Sequence, residues 1–225
     1  MKKVFLVSGG LDSFLAYSLF AKKNDIPVFV DYMQKYVNKE YLAALKLYPI
    51  DLKFITIESF NKNHYSVELE NNYIPNRNLF LASLIALNYY PDEIVISGMK
   101  DDNCSDKNIE SFKEMSDIIS KYSQKRIEIT SPFWNTTKGE AIEMYIKKGL
   151  DKEKLLDTIS CYSDTHEKMC GDCPACFRWY TALESNGIKT KLKISDKIKN
   201  EYLQKIDNYD IDRQKRILSC TNAVT

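Results

Sequence analysis

Histidine, glycine, long apolar runs and excess charge are what this chain has little of. Its 225 residues hold two histidines, His64 and His166. They do not fit a catalytic pair: a lone histidine is commonly structural or exposed, and His166, inside a cysteine-rich stretch, is at best a spare ligand. No apolar run approaches the ~20 residues of a membrane span. The start Met1-Lys2-Lys3 resembles the opening of a signal peptide, but the apolar stretch behind it is too short. The expectation is a soluble, cytoplasmic protein with no membrane partner. There thiols stay reduced, so the six cysteines are read first as ligands or free thiols. The net charge of +1 supplies no global electrostatic case for nucleic acid, and no direct nucleic-acid partner is expected. Lys193 to Lys205 mixes both signs, as a solvated face does. Glycine occurs seven times, so each one is informative.

What is present is an ordinary globular balance, 28% charged and 44% apolar, in a chain long enough for one large domain or a domain with an appendage. It is organised around Val4-Phe5-Leu6-Val7 followed by Ser8-Gly9-Gly10-Leu11-Asp12-Ser13 and a further apolar run. This reads as a buried strand turning through two glycines into a helix. Glycines let backbone approach a ligand closely. The leading N–H groups of a helix have no internal partner and carry partial positive charge. Together they make a cradle for phosphate or pyrophosphate. The spacing fits neither the Walker P-loop nor G-x-G-x-x-G. A plain strand–turn–helix with Asp or Ser as N-cap is the bland alternative.

Further strands are expected at Ile26–Val30, Leu52–Ile57, Glu93–Gly98 and Ile127–Pro132. Helices are expected at 37–48, with Tyr41, Leu42, Ala44, Leu45 and Tyr48 at apolar spacing, and at 79–90, 109–120 and 137–148. Thr137 and Glu140 have capping-box spacing, and residues 59–76 read as irregular. Alternation of this kind predicts a five-stranded parallel sheet with helices on both faces, a Rossmann-like α/β fold. Ligands bind such sheets at the carboxyl ends of the strands, where Ser8 to Ser13, Asp31, Ser97, Gly98 and the Pro132 loop fall. Residues 1–148 read as this ligand-binding domain. Residues 149–225 read as a cysteine-bearing module with terminal helical spacing at 197–206 and 211–218.

Cys161, Cys170, Cys173 and Cys176 follow C-x8-C-x2-C-x2-C. Two-residue gaps, with Gly171 and Pro174 as turn residues, let thiolates converge on one metal. Four thiolates suit structural zinc; an iron–sulfur cluster and a disulfide pair are the alternatives. Cys104 and Cys220 stand outside the pattern.

The Ser8–Ser13 loop resembles that of the PP-loop ATP pyrophosphatases. With it come Ile74-Pro75-Asn76-Arg77-Asn78 before a long apolar helix, and Ser160-Cys161-Tyr162 followed by Cys170-Gly171-Asp172-Cys173-Pro174-Ala175-Cys176. In this order the three are similar to the 7-cyano-7-deazaguanine synthases of queuosine biosynthesis. Ser131-Pro132-Phe133 with Thr137-Lys138 fits the same pattern. The resemblance implies a zinc-containing, homodimeric ligase. Such an enzyme uses ATP with Mg2+ to adenylate 7-carboxy-7-deazaguanine, and ammonia then converts the acid to the amide and on to the nitrile. It implies ATP contacts from Ser8, Gly9, Gly10, Leu11, Asp12, Ser13, Asp31, Ser97 and Gly98, with zinc on the four cysteines. Asp12 would place metal or phosphate, or act as an N-cap. Arg77 would take a carboxylate or phosphate, or form a salt bridge. Lys138 would reach the phosphates, or be solvated. The chain departs from the family at Met33, Lys35 and Tyr36, where the family has Gly, Arg and His, and across residues 103–109 beside the expected base pocket. A related ligase for another carboxylate, a sulfur-inserting tRNA-modifying enzyme and a nucleotide-sensing zinc protein are the competing readings.

Overall fold

Along Lys3–Leu6 (β1) and the residue after it, side chains alternate between two cores. Phe5 and Val7 join one and Val4 the other, as the period of two dictates for a strand buried on both faces. The structure is a computed structural model. It describes every residue except 33, 49–50, 58–72, 103, 164–167 and 222–225. His64, His166, Met33, Asn103 and most of the irregular stretch lie outside the described residues.

β1 pairs in parallel with Ile26–Asp31 (β2), Val4 opposite Ile26, and with Glu93–Val95 (β4), Lys3 opposite Glu93. Lys53–Thr56 (β3) lies outside β2, and Glu128–Thr130 (β5) outside β4. The order is β3-β2-β1-β4-β5, the expected parallel sheet. Connections reverse direction between β1 and β4, and a crevice opens there at the carboxyl ends of the strands. The Ser8–Ser13 loop leaves β1 at that point.

Leu11–Phe20 (α1), Val37–Leu47 (α2) and Lys138–Lys147 (α5) cover one face. Arg77–Tyr89 (α3) and Ile109–Ser123 (α4) cover the other. The first core is built on Phe14, Leu15, Phe29, Tyr145 and Trp179, all under 5% exposed. Burying a side chain of this class contributes about 1.5–3 kcal/mol. Thr137 caps α5 as the spacing predicts: its hydroxyl accepts from Glu140 N–H at 3.3 Å, and the Glu140 carboxylate accepts from Thr137 N–H at 2.7 Å.

Two elements differ from expectation. In α2 the buried residues are Lys39, Ala43, Ala44 and Leu47, whereas Leu42 is 65% exposed and Tyr41 and Leu45 are more than one-third exposed. The helix turns its small residues inward because the glycine loop packs against them. The cysteine stretch also contains a full helix, Pro174–Glu184 (α7), begun by Cys173 as N-cap and Pro174 in the first turn, a position where the missing N–H costs nothing. A short helix, Glu153–Leu156 (α6), leads into that stretch. Trp179, Ala182 and Leu183 bind α7 into the first core. Its Phe177 joins a small satellite core with Ile198 and Tyr202 of Asp196–Gln204 (α8) and Ile217 of Ile211–Thr221 (α9).

Candidate functional site

Gly9 has φ +71°, and a Cβ there would lie 2.4 Å from the Glu40 carbonyl oxygen. Only glycine satisfies both the left-handed backbone and that approach. Gly10 is the N-cap of α1 and provides no side-chain cap, so the leading amides of α1 are left to the crevice. The Ser13 hydroxyl holds the loop shut from within: it donates to Gly10 C=O at 3.0 Å and accepts from Ser8 N–H at 3.2 Å.

Asp12 is in the first turn of α1, not at its N-cap, and pairs with Lys138 at 2.8 Å. Lys138 is therefore not a solvated first-turn lysine; its side chain is 16% exposed. The backbone around it is braced from a distance. Asp101 accepts from Lys138 N–H at 3.2 Å and from Arg216 of α9 at 2.9 Å. Lys107 pairs with Asp102 at 3.3 Å. Burial alone would lower the pKa of Lys107, but Asp102 and Asp12 outweigh it and the net shift is upward. The ammonium thus stays charged.

These groups border a cavity of about 210 Å³ at the reversal point. Ser8, Gly10, Leu11, Asp12, Ser13, Ser97 and Arg77 line it, as do Gln34, Tyr36, Glu40, Lys107 and Tyr162. Of the ATP residues expected from sequence, Gly9, Asp31 and Gly98 do not line it. Gly9 is under α2, and Asp31 ends β2. Gly98 is packed against Trp134, whose ring a Cβ would meet at 2.6 Å. Lys138 reaches the cavity through Asp12. Arg77 starts α3 and hydrogen-bonds the Tyr32 hydroxyl. Burial would lower its pKa, but the surrounding Tyr32, Tyr36 and Asp106 hold it above the ordinary arginine value.

Another part of the wall carries acceptors. Gln34 Nε2 donates to Glu40 Oε2 at 3.1 Å. Burial pushes the Glu40 carboxyl up to about 7, against the Gln34 hydrogen bond, Arg77 and Lys39, which lower it. Gln34, Tyr36, Glu40, Lys107 and Tyr162 were not named as site residues by sequence reasoning. Tyr36 and Lys107 fall where the chain departs from the family pattern, Gln34 matches that pattern, and Tyr162 belongs to the Ser160-Cys161-Tyr162 motif.

Ile159 N–H donates to the Gly9 carbonyl at 3.0 Å, which lays Ser160-Cys161-Tyr162 along the cavity. All four Sγ atoms of Cys161, Cys170, Cys173 and Cys176 lie within 4.8 Å of one another, with Cys170 and Cys176 at 3.8 Å. None of the six cysteines is in a disulfide, which removes the disulfide alternative. Four thiolates around one tetrahedral ion with bonds near 2.3 Å are separated by about 3.8 Å, so the donor set fits one metal ion. The thiol protons compete in this cluster. Hydrogen bonds from Cys173 and Cys176 draw the Cys161 pKa down, and the converse bonds push that of Cys176 up. Gly171 closes the turn with φ +73°, and a Cβ there would strike the Lys193 carbonyl oxygen. From the sheet side, Lys39 donates to Cys161 Sγ at 3.6 Å and to the Ser163 carbonyl.

Fold and site define a class: a doubly wound α/β protein whose Gly-Gly loop shares one cavity with Cys161 of a four-cysteine cluster. Residues 53–187 match the family model for Queuosine biosynthesis protein QueC, and the chain belongs to that family. Among curated relatives, the 7-cyano-7-deazaguanine synthase of Psychromonas ingrahamii is 25% identical over 221 residues, covering 87% of this chain and 98% of that protein. That of Pseudoalteromonas translucida is 27% identical over 217 residues, covering 85% and 98%. That of Methanobrevibacter smithii is 25% identical over 223 residues, covering 84% and 95%. No helix among the described residues is long and apolar enough to cross a membrane.

Proposed function

We propose that this chain is an ATP-dependent carbon–nitrogen ligase that converts 7-carboxy-7-deazaguanine and ammonia to 7-cyano-7-deazaguanine. One observation carries the reading: the Ser8–Ser13 loop, with Lys138 held on Asp12, opens into the same cavity that Cys161 walls. The substrate carboxylate attacks the α-phosphate of ATP and pyrophosphate leaves. Ammonia displaces AMP to give the amide, and a second activation dehydrates the amide to the nitrile. Amides of the loop and the start of α1 stabilise charge on the leaving pyrophosphate. Lys138 neutralises phosphate oxygens. Asp12 is the carboxylate we assign to the Mg2+ that accompanies ATP. Arg77, already inside the cavity, takes the substrate carboxylate bidentately. Ser97, Asp31 and Gly98 form the strand-end rim on the nucleotide side.

Zinc on Cys161, Cys170, Cys173 and Cys176 is structural, because four protein ligands close the coordination sphere. We assign ATP binding to residues 1–148 and the metal to residues 149–225, in a cytoplasmic homodimer. The test is incubation with ATP, Mg2+, ammonia and 7-carboxy-7-deazaguanine. AMP, pyrophosphate and the nitrile are expected, with two AMP released per nitrile. AMP formed only with another acid would overturn the substrate and keep the chemistry. ATP binding with no AMP from any acid would overturn the ligase.

A further inference from the structure

The cavity wall contains an acceptor with nothing to accept. Gln34 is 8% exposed, and its amide is oriented by the bond from Nε2 to Glu40 Oε2 at 3.1 Å. With Glu40 ionised, flipping the amide would set two acceptors against each other. In the orientation this bond requires, Gln34 Oε1 is buried with no hydrogen-bond partner among the described residues. Buried polar atoms of this kind are costly and few in folded proteins. Both side chains line the cavity. Tyr36 and Tyr162 stand beside them, their ring centroids 6.1 Å apart at 49°.

We propose that Gln34 and Glu40 form an acceptor edge that selects the substrate ring by two adjacent N–H donors. This rests on the ligase reading and says how that site recognises its base. A 2-amino-4-oxo pyrimidine ring, the guanine type, presents a ring N–H beside an exocyclic amine. Two acceptors meet two donors. An adenine edge alternates amine and ring-nitrogen acceptor, so one wall oxygen would face a lone pair. A ring without the 2-amino group satisfies one acceptor and leaves the other buried and unmet, the arrangement by which sites discriminate most strongly. Adenine of ATP is therefore excluded from this wall, and the base of the acid belongs there.

The discriminating probe is 7-carboxy-7-deazahypoxanthine, which lacks only the 2-amino group. In the AMP-release assay the wild type should prefer the 2-amino acid by roughly 100-fold or more in kcat/KM. Glu40→Gln should raise KM for the acid roughly 10- to 100-fold, leave KM for ATP within about twofold, and reduce the 2-amino preference toward one. The unchanged ATP KM doubles as a check on folding. If Glu40→Gln does not fold, Gln34→Met, which removes the orphaned carbonyl, carries the same test. A rise in the ATP KM with an unchanged acid KM, or an undiminished 2-amino preference, would overturn the proposal. If no acid is turned over, the ligase reading fails separately. Calorimetry with 7-deazaguanine and 7-deazahypoxanthine then decides the wall. Binding at least about tenfold tighter for the former, lost in Glu40→Gln, supports the acceptor edge; equal binding overturns it.

Discussion

Two parts of the cavity wall differ in what they offer. At the loop the protein offers donors and cations: the leading amides of α1, with Lys138 and Lys107 held on Asp12 and Asp102. Around the start of α2 it offers the Gln34 carbonyl and the Glu40 carboxyl, with Arg77 near them. α2 joins the two. The Glu40 carbonyl packs where a Gly9 Cβ would be, and Glu40 also lines the cavity. Lys39, one residue earlier, fastens the same helix to Cys161.

The largest effect is expected at the proposed metal site. Cys173→Ser removes one of four ligands and the N-cap of α7. Elemental analysis should find the metal absent and thermal unfolding should begin earlier, since such sites contribute folding energy directly. Unchanged metal content would remove Cys173 from the ligand set. The loop is tested by Asp12→Ala, which strips Lys138 of its partner. AMP formation should fall roughly 10²- to 10³-fold at an unchanged melting temperature, and wild-type rates would refute the role of Asp12. Gly9→Ala strikes the junction between the two parts. Left-handed strain and the clash with Glu40 should cost about 1–3 kcal/mol in denaturant unfolding, with KM raised for both ATP and the acid. An effect on only one KM would show the two parts to be independent.

A smaller effect is expected from Arg216→Ala. It releases Asp101, whose other oxygen accepts from Lys138 N–H. The predicted result is a kcat lower by about tenfold, recovered in part by Arg216→Lys; equal kcat values would place α9 outside the catalytic geometry. The smallest effect concerns pH. Glu40 titrates up at about 7 when folded, against an ordinary 4.5, so the folded protein favours the protonated acid. Its contribution is fully present below pH 4.5 and is lost as pH rises through about 7. Urea unfolding at pH 5 and pH 8 should therefore show Glu40→Gln gaining on the wild type at the higher pH. Parallel behaviour at both values would contradict the burial of that carboxyl.

Much of the frame could be read from local pattern. Strand residues such as Phe5, Val28 and Ile94 are apolar runs of the right length, Thr137 and Glu140 cap a helix within four residues, and Cys170, Cys173 and Cys176 are neighbours in the chain. α7 escaped notice because its first turn coincides with the metal ligands, and a turn motif conceals a helix start. The exposed Leu42 and Leu45 misled for a different reason: apolar spacing identifies a helix but not the face that a packed neighbour leaves open. Glu40 and Arg216 carry no local mark of function. Each acquires one from a partner far away in sequence.

The order of strands and helices, the loop that bares its amides and the cysteine ligand set were determined by the sequence itself, because each depends on residues within a few positions of one another. The order of strands within the sheet, the cavity, the pairing of Gln34 with Glu40 in its wall and the bracing of Lys138 from α9 were decided by tertiary structure. Those features require the chain to reverse at β1 and β4 and to bring residues 34, 40, 107, 138, 161 and 216 to one edge of the sheet. No periodicity encodes that convergence; only packing on both faces of the sheet produces it.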